Sequence, residues 1–177
     1  MKELRKVLVS RAQLESRVKE LGAAISRDYE GKELVLIGIL KGAAVFMADL
    51  MREISFPVAI DYMSVSSYGS SSTTSGVITI KQDINTDIRG KHVLLVEDLI
   101  DTGLTLQHLG QLFALREAAS VSICTILSKP SRRLADIPID YCGIEIPDEF
   151  VVGYGLDYAE QYRNLPEVWI VETEEQQ

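Results

Sequence analysis

Apolar residues gather in short runs along the chain, at residues 34–40, 58–65, 76–80, 93–96, 121–127 and 168–171. Several runs are unbroken rather than alternating, the pattern of strands buried on both faces of a parallel sheet. Between them the spacing changes to that of helices. Ser10 and Gln13 have the separation of a capping box, and Leu14, Val18 and Leu21 follow on one helical face. Residues 43–54 and 104–115 repeat that helical spacing. This alternation predicts an α/β fold with ligands bound at the carboxyl ends of the strands. No internal repeat is visible.

One segment breaks the rhythm. In residues 66–75, SSYGSSSTTS, all but Tyr68 and Gly69 are Ser or Thr. A flexible interdomain linker has the same composition. Yet strand-like residues precede and follow the segment, with no second domain's worth of chain to connect. A long loop inside one compact domain is more often a functional lid, and residues 66–76 are read as one.

Composition narrows the function. With 177 residues, 46% of them apolar and 25% charged, the chain suits one compact domain spanning its whole length. A net charge of −8 argues against a surface that grips nucleic acid nonspecifically, while leaving room for a small cationic pocket. The two cysteines, Cys124 and Cys142, lie in apolar strand-like runs, which points to reduced thiols in a cytoplasmic protein. The basic start is followed only by residues 7–9 before Ser10 and Arg11, too short for a signal-peptide core. No apolar stretch approaches the roughly 20 residues of a membrane span.

The chemistry concentrates in residues 92–105, HVLLVEDLIDTGLT. A buried strand ends in adjacent acids, Glu97 and Asp98. Asp101, Thr102 and Gly103 follow, then Leu104, Thr105 and a helix. Backbone N–H groups in such a turn, backed by a helix N-terminus, form an anion site, and Thr102 and Thr105 add hydroxyl donors. Carboxylates on the rim would repel a bare phosphate, so they must face sugar hydroxyls, a divalent cation or a mobile proton. A ligand carrying a 5′-phosphate, a ribose and Mg²⁺ satisfies all of these. The bland reading makes the acids ordinary strand-end groups and Asp101 a helix N-cap. It accounts for any one acid better than for three in this order.

The stretch VLLVEDLIDTGLT resembles the phosphoribosyl pyrophosphate (PRPP) signature of type I phosphoribosyltransferases, and the rest resembles their bacterial hypoxanthine (hypoxanthine–guanine) branch. The likeness runs from about residue 7 to 171. It includes Leu40-Lys41-Gly42, Ser67-Tyr68-Gly69, Ser128-Lys129-Pro130 and the FVVGYGLDY stretch at 150–158. It implies a mostly parallel, twisted sheet flanked by helices, a small hood drawn largely from the C-terminal part, and a flexible lid. The implied activity is purine salvage: phosphoribosyl transfer from PRPP to hypoxanthine or guanine, giving IMP or GMP and pyrophosphate. Mg²⁺ is the implied cofactor, and a homodimer or homotetramer the implied assembly, with neither nucleic acid nor membrane as partner.

Carried over by motif, Glu97 and Asp98 contact the ribose hydroxyls, directly or through Mg²⁺. Asp101 is the general base near purine N7, and Thr102, Gly103, Leu104 and Thr105 hold the 5′-phosphate. Lys41 and Gly42 match a pyrophosphate-binding loop, in which the peptide before the lysine can be cis, and Arg163 matches a pyrophosphate-binding arginine. Lys129 resembles the residue bonding purine O6, Phe150 the aromatic stacked on the base, and Val151 a backbone contact to its edge. Asp157 resembles a second Mg²⁺-contacting acid. Ser67 and Tyr68 would close over the reaction centre. Without the resemblance, Lys129 would be an exposed strand-end charge and Phe150 a core residue.

Rival readings fit less well. An RNA-binding regulator on the same fold would need a basic face, and no Lys/Arg-rich run exists. A phosphoacceptor receiver would place its acid pair at the end of its first strand, not past mid-chain. Neither GxGxxG nor GxxxxGK[ST] occurs, which removes the dinucleotide and P-loop folds. Within the family, xanthine–guanine preference is the nearest alternative.

Overall fold

The computed structural model describes residues 4–67 and 78–172. Tyr68 and the remainder of the expected lid lie outside the described residues. Ser66 and Ser67, read as the start of that lid, belong to a strand paired with Thr79 and Ile78.

Six strands make the main sheet: β2 (Leu34–Leu40), β3 (Ala59–Ser67), β4 (Ile78–Gln82), β5 (His92–Ile100), β6 (Ser120–Ser128) and β7 (Tyr141–Glu145). Their spatial order is β4-β3-β2-β5-β6-β7, parallel except for β4. The continuous apolar runs have the cause anticipated from sequence. In β2, Leu34 and Leu36 pack into one buried cluster, while Val35, Ile37 and Ile39 pack into another. Val93 and Leu95 of β5 likewise oppose Leu94 and Val96. Successive strand side chains point to opposite faces, so a sheet covered on both sides has no polar alternation.

Helices α1 (Arg11–Asp28) and α2 (Ala44–Arg52) cover the first face, and α3 (Leu104–Leu115) the second. The expected capping box opens α1. Ser10 Oγ accepts from the Gln13 N–H at 3.3 Å, and Gln13 Oε1 accepts from the Ser10 N–H at 2.9 Å. Leu14, Val18, Leu21 and Ile25 form its buried stripe. No described helix is long and apolar enough to cross a membrane.

A second sheet, in the order β1-β9-β8, is antiparallel and joins the chain's two ends: β1 (Leu4–Val9), β8 (Val151–Val152) and β9 (Val168–Val171). Strand β1 carries exposed Arg5 and Lys6, which concealed it in the hydrophobic pattern.

In the main sheet the chain steps from β2 outward to β3 and β4, then returns to place β5 on the other side of β2. Such a reversal opens a crevice at the carboxyl ends of the two central strands. Residues 41–43 leave β2 there, and Glu97 and Asp98 lie near the end of β5.

Candidate active site

Glu97 and Asp98 are half-buried and adjacent, and both carboxyls are held above their usual range. Loss of water is the first cause for each; for Glu97 the negative charge of Asp98 is the next. Asp98 Oδ1 accepts the Leu99 N–H at 2.8 Å. Its Oδ2 fills the space beside Gly42: a Cβ there would lie 1.6 Å from that oxygen. A Cβ on Gly155, at φ +99°, would lie 2.1 Å from the Gly42 carbonyl oxygen. Three segments distant in sequence thus meet with no room for side chains at the two glycines.

Beyond β5 the chain turns through Asp101 and Thr102 to Gly103, the N-cap of α3, at φ +81°. Gly103 has no side chain to cap this helix; the Leu104 N–H makes only a long 3.5 Å contact to Thr102 Oγ1, and the start of α3 can receive an anion. Thr102 anchors the turn from behind, its carbonyl accepting the N–H groups of Leu134 and Ala135 at 3.0 Å each. Asp101 is not the N-cap. Its Oδ1 pairs with Arg132 Nε at 3.0 Å. Arg132 Nη1 lies 3.7 Å from Asp148, and Lys129 Nζ lies 3.6 Å from the same carboxylate. Lys129, an exposed strand-end charge when read without the resemblance, is buried.

Phe150 is 42% exposed, an unusual position for a large aromatic, and stands edge-on to Tyr158 at 5.7 Å. Its carbonyl accepts the Val171 N–H at 3.0 Å, so the antiparallel alternation turns the N–H and C=O of Val151 to the free edge of β8. An exposed ring, a buried ammonium and a free backbone edge can together grip a flat, polar-edged heterocycle.

On the crevice's other side, the Leu40–Lys41 peptide is cis. Lys41 Nζ bonds Glu160 Oε2 at 2.8 Å. Arg163 Nη2 lies 2.7 Å from Asp157 Oδ1 and 3.7 Å from Glu160, and its Nη1 donates to the Gly155 carbonyl at 2.7 Å. Among the described residues no three acidic, His or Cys side chains converge as a metal-ligand group. The Glu97–Asp98 pair still suits Mg²⁺, which usually takes one or two carboxylates and completes its shell with phosphate oxygens and water. Two desolvated carboxylates, of which only Asp98 feels a cation, the charge of Arg163, suit that role.

Comparison with known proteins settles the family. The model of the phosphoribosyl transferase domain matches residues 8–159. The chain belongs to the phosphoribosyltransferase family. It is 52% identical to the hypoxanthine-guanine phosphoribosyltransferase of Streptococcus pneumoniae, across 97% of this chain and 96% of that one. With the hypoxanthine phosphoribosyltransferase of Haemophilus influenzae the figure is 50%, across 96% of each. The crystal structure of a Staphylococcus aureus hypoxanthine phosphoribosyltransferase superposes with a TM-score of 0.94 at 46% identity, covering 98% of this chain and 95% of that one.

In this phosphoribosyltransferase, the residues drawn from the motifs fall into three neighbouring groups. Glu97, Asp98 and residues 101–105 line the carboxyl end of β5, with Gly42 against Asp98; Lys41, Asp157 and Arg163 gather beside Glu160; Lys129 and Asp101 are linked through Asp148 and Arg132. Ser67 is at the end of β3, and Tyr68 lies outside the described residues. Sequence reasoning missed Arg132, Asp148 and Glu160. Their only signal was spacing: Arg132 follows Lys129 by three, and Glu160 stands three from both Asp157 and Arg163.

Proposed function

We propose that this chain transfers the 5-phosphoribosyl group of PRPP to hypoxanthine, and to guanine, releasing IMP or GMP and pyrophosphate in purine salvage. The observation that carries the reading is the Glu97–Asp98 pair beside the uncapped start of α3, an anion seat with carboxylates on its rim. The 5′-phosphate sits on the turn at residues 102–105, where N–H groups and the Thr102 and Thr105 hydroxyls receive it. Glu97 and Asp98 face the ribose hydroxyls. They would also hold Mg²⁺, which when bound supplies positive charge toward the pyrophosphate. Asp157 would serve as a further acid for such an ion.

In the reaction the bond from ribose C1 to pyrophosphate breaks as a purine nitrogen bonds to C1. Lys41 and Arg163 stabilise the departing pyrophosphate. The acids around the sugar offset the positive charge that develops on it. Asp101 takes or shares the proton released from the base. Phe150 stacks on the purine, Lys129 donates to O6, and the Val151 backbone meets the ring edge. The protein works in the cytoplasm as a homodimer or homotetramer.

Initial rates with PRPP and Mg²⁺ against hypoxanthine, guanine, xanthine and adenine test the reading. Hypoxanthine and guanine should be turned over and adenine should not. No rate with either 6-oxopurine would overturn it.

A further inference from the structure

One charged side chain stands among the pyrophosphate groups without a part in the reaction above. Glu160 Oε2 is 2.8 Å from Lys41 Nζ and 3.7 Å from Arg163 Nη2. These are the two cations assigned to the leaving group. The carboxylate that Glu160 places between them resembles one phosphoryl group of pyrophosphate in charge and in acceptor oxygens. An exposed carboxylate of this kind is ionised at neutral pH.

The local backbone presents Glu160 as a movable arm on a fixed base. Tyr158 and Gln161 exchange backbone hydrogen bonds of 3.1 Å each, with Ala159 at φ +51° and Glu160 at φ +63° between them. That is the two-residue tight turn of a hairpin, with both central residues left-handed. Asp157 clamps its base, accepting the Glu160 N–H at 2.9 Å while pairing with Arg163. The Glu160 side chain itself is 66% exposed, so it can swing into solvent without disturbing the turn.

We propose that Glu160 is a resident competitor of pyrophosphate. Its carboxylate fills the gap between Lys41 and Arg163 in the free site, and the pyrophosphate end of PRPP, or pyrophosphate itself, displaces it. The proposal rests on the assignment of Lys41 and Arg163 to pyrophosphate. Binding must then break an ion pair before making one, and release is helped by a carboxylate waiting to return. Exposed ion pairs are weak and screened by salt, so the effect is a matter of a few-fold.

Glu160→Gln keeps side-chain length and the turn but removes the charge. Calorimetric titration of the full chain with pyrophosphate and Mg²⁺ should show the variant binding about twofold to fivefold tighter than wild type. The ratio should fall toward one in about 0.5 M KCl, and the KM for hypoxanthine should not change. Glu160→Ala, which cannot bond Lys41, should tighten binding in the same direction. In a Lys41→Met background, Glu160→Gln should lose most of its effect, a coupling that a merely structural role would not produce. Equal or weaker pyrophosphate binding in both Glu160 variants, with a wild type that binds pyrophosphate, overturns the competitor role alone. A wild type that binds no pyrophosphate overturns the underlying assignment, and this role with it.

Discussion

Replacing Gly42 by Ala is a steric test of how the crevice is built. Gly42 is not in the left-handed region, so its backbone accepts any residue and only space is at issue. The added methyl would lie 1.6 Å from Asp98 Oδ2 and 2.6 Å from its Cγ. The carboxylate must retreat by about 2 Å to reach ordinary contact, an overpacking that typically costs about 1–3 kcal/mol. Its bond to the Leu99 N–H is strained as it moves. Taking about 2 kcal/mol, a domain of this size should lose about 4–8 °C in Tm. Asp98 is also assigned to the ribose, and misplacing a positioned group by about 1 Å can cost 10²-fold in rate. The expected result is kcat/KM for PRPP down by about 10²-fold, with little change in the KM for hypoxanthine. Gly110→Ala is the control: it lies in α3, with nothing within 4 Å of its added Cβ. That change should stabilise by about 0.5–1 kcal/mol and leave activity alone. A Gly42→Ala enzyme with wild-type PRPP kinetics and unchanged Tm would refute the packing argument.

Three further outcomes are expected. Asp101→Asn should leave PRPP affinity nearly intact while kcat falls about 10²–10⁴-fold in steady-state kinetics; a kcat within about threefold of wild type would make Asp101 structural. Lys129→Ala should weaken 6-oxopurine binding by about 1.5–3 kcal/mol, read from KM or direct titration. Equal wild-type rates with adenine and hypoxanthine would rule that contact out. Glu97, whose carboxyl is raised in the folded protein, contributes stability at acidic pH that is lost as pH rises through its folded pKa. In chelator, therefore, the Glu97→Gln variant should melt above wild type at pH 8, with the gap closing toward about pH 4, below the ordinary carboxylate pKa; scanning calorimetry showing a pH-independent gap would contradict this.

The central strands were legible because burial on both faces leaves continuous apolar runs, as in β2 and β5. The strands of the small sheet were harder. Strand β8 has two residues, and β1 alternates too irregularly, with register shifts against β9 and three exposed residues in a row. The residues between Glu97 and Thr105 could be read together because a turn keeps them contiguous. Their charge partners could not. Lys41 and Glu160 are 119 residues apart, and Asp101 and Arg132 are 31 apart. The reversal at β2 and β5 and the tight turn at Ala159–Glu160 bring the first pair together, and the parallel pairing of β5 with β6 brings the second. The Gly42–Gly155 contact was equally hidden, since nothing local requires a glycine at 42.

Those pairings give the free site a common electrostatic logic. Lys41 faces Glu160, Arg163 faces Asp157, Arg132 faces Asp101, and Lys129 faces Asp148. Each of these four cations has a carboxylate near it, which keeps like charges from repelling across a confined space. Glu97 and Asp98 are the exception: they face each other, and both are held above their usual range. A ligand that merely added negative charge would find the cations occupied and the acid pair repulsive. Under the roles proposed above, one that brought pyrophosphate with a divalent cation would meet both needs, its oxygens replacing Glu160 while Glu97 and Asp98 would hold the cation. Ligand and cation are therefore coupled: each should bind more tightly in the presence of the other. An acidic protein can in this way recognise a polyanion without a basic surface, because charge is exchanged within the crevice rather than accumulated on it.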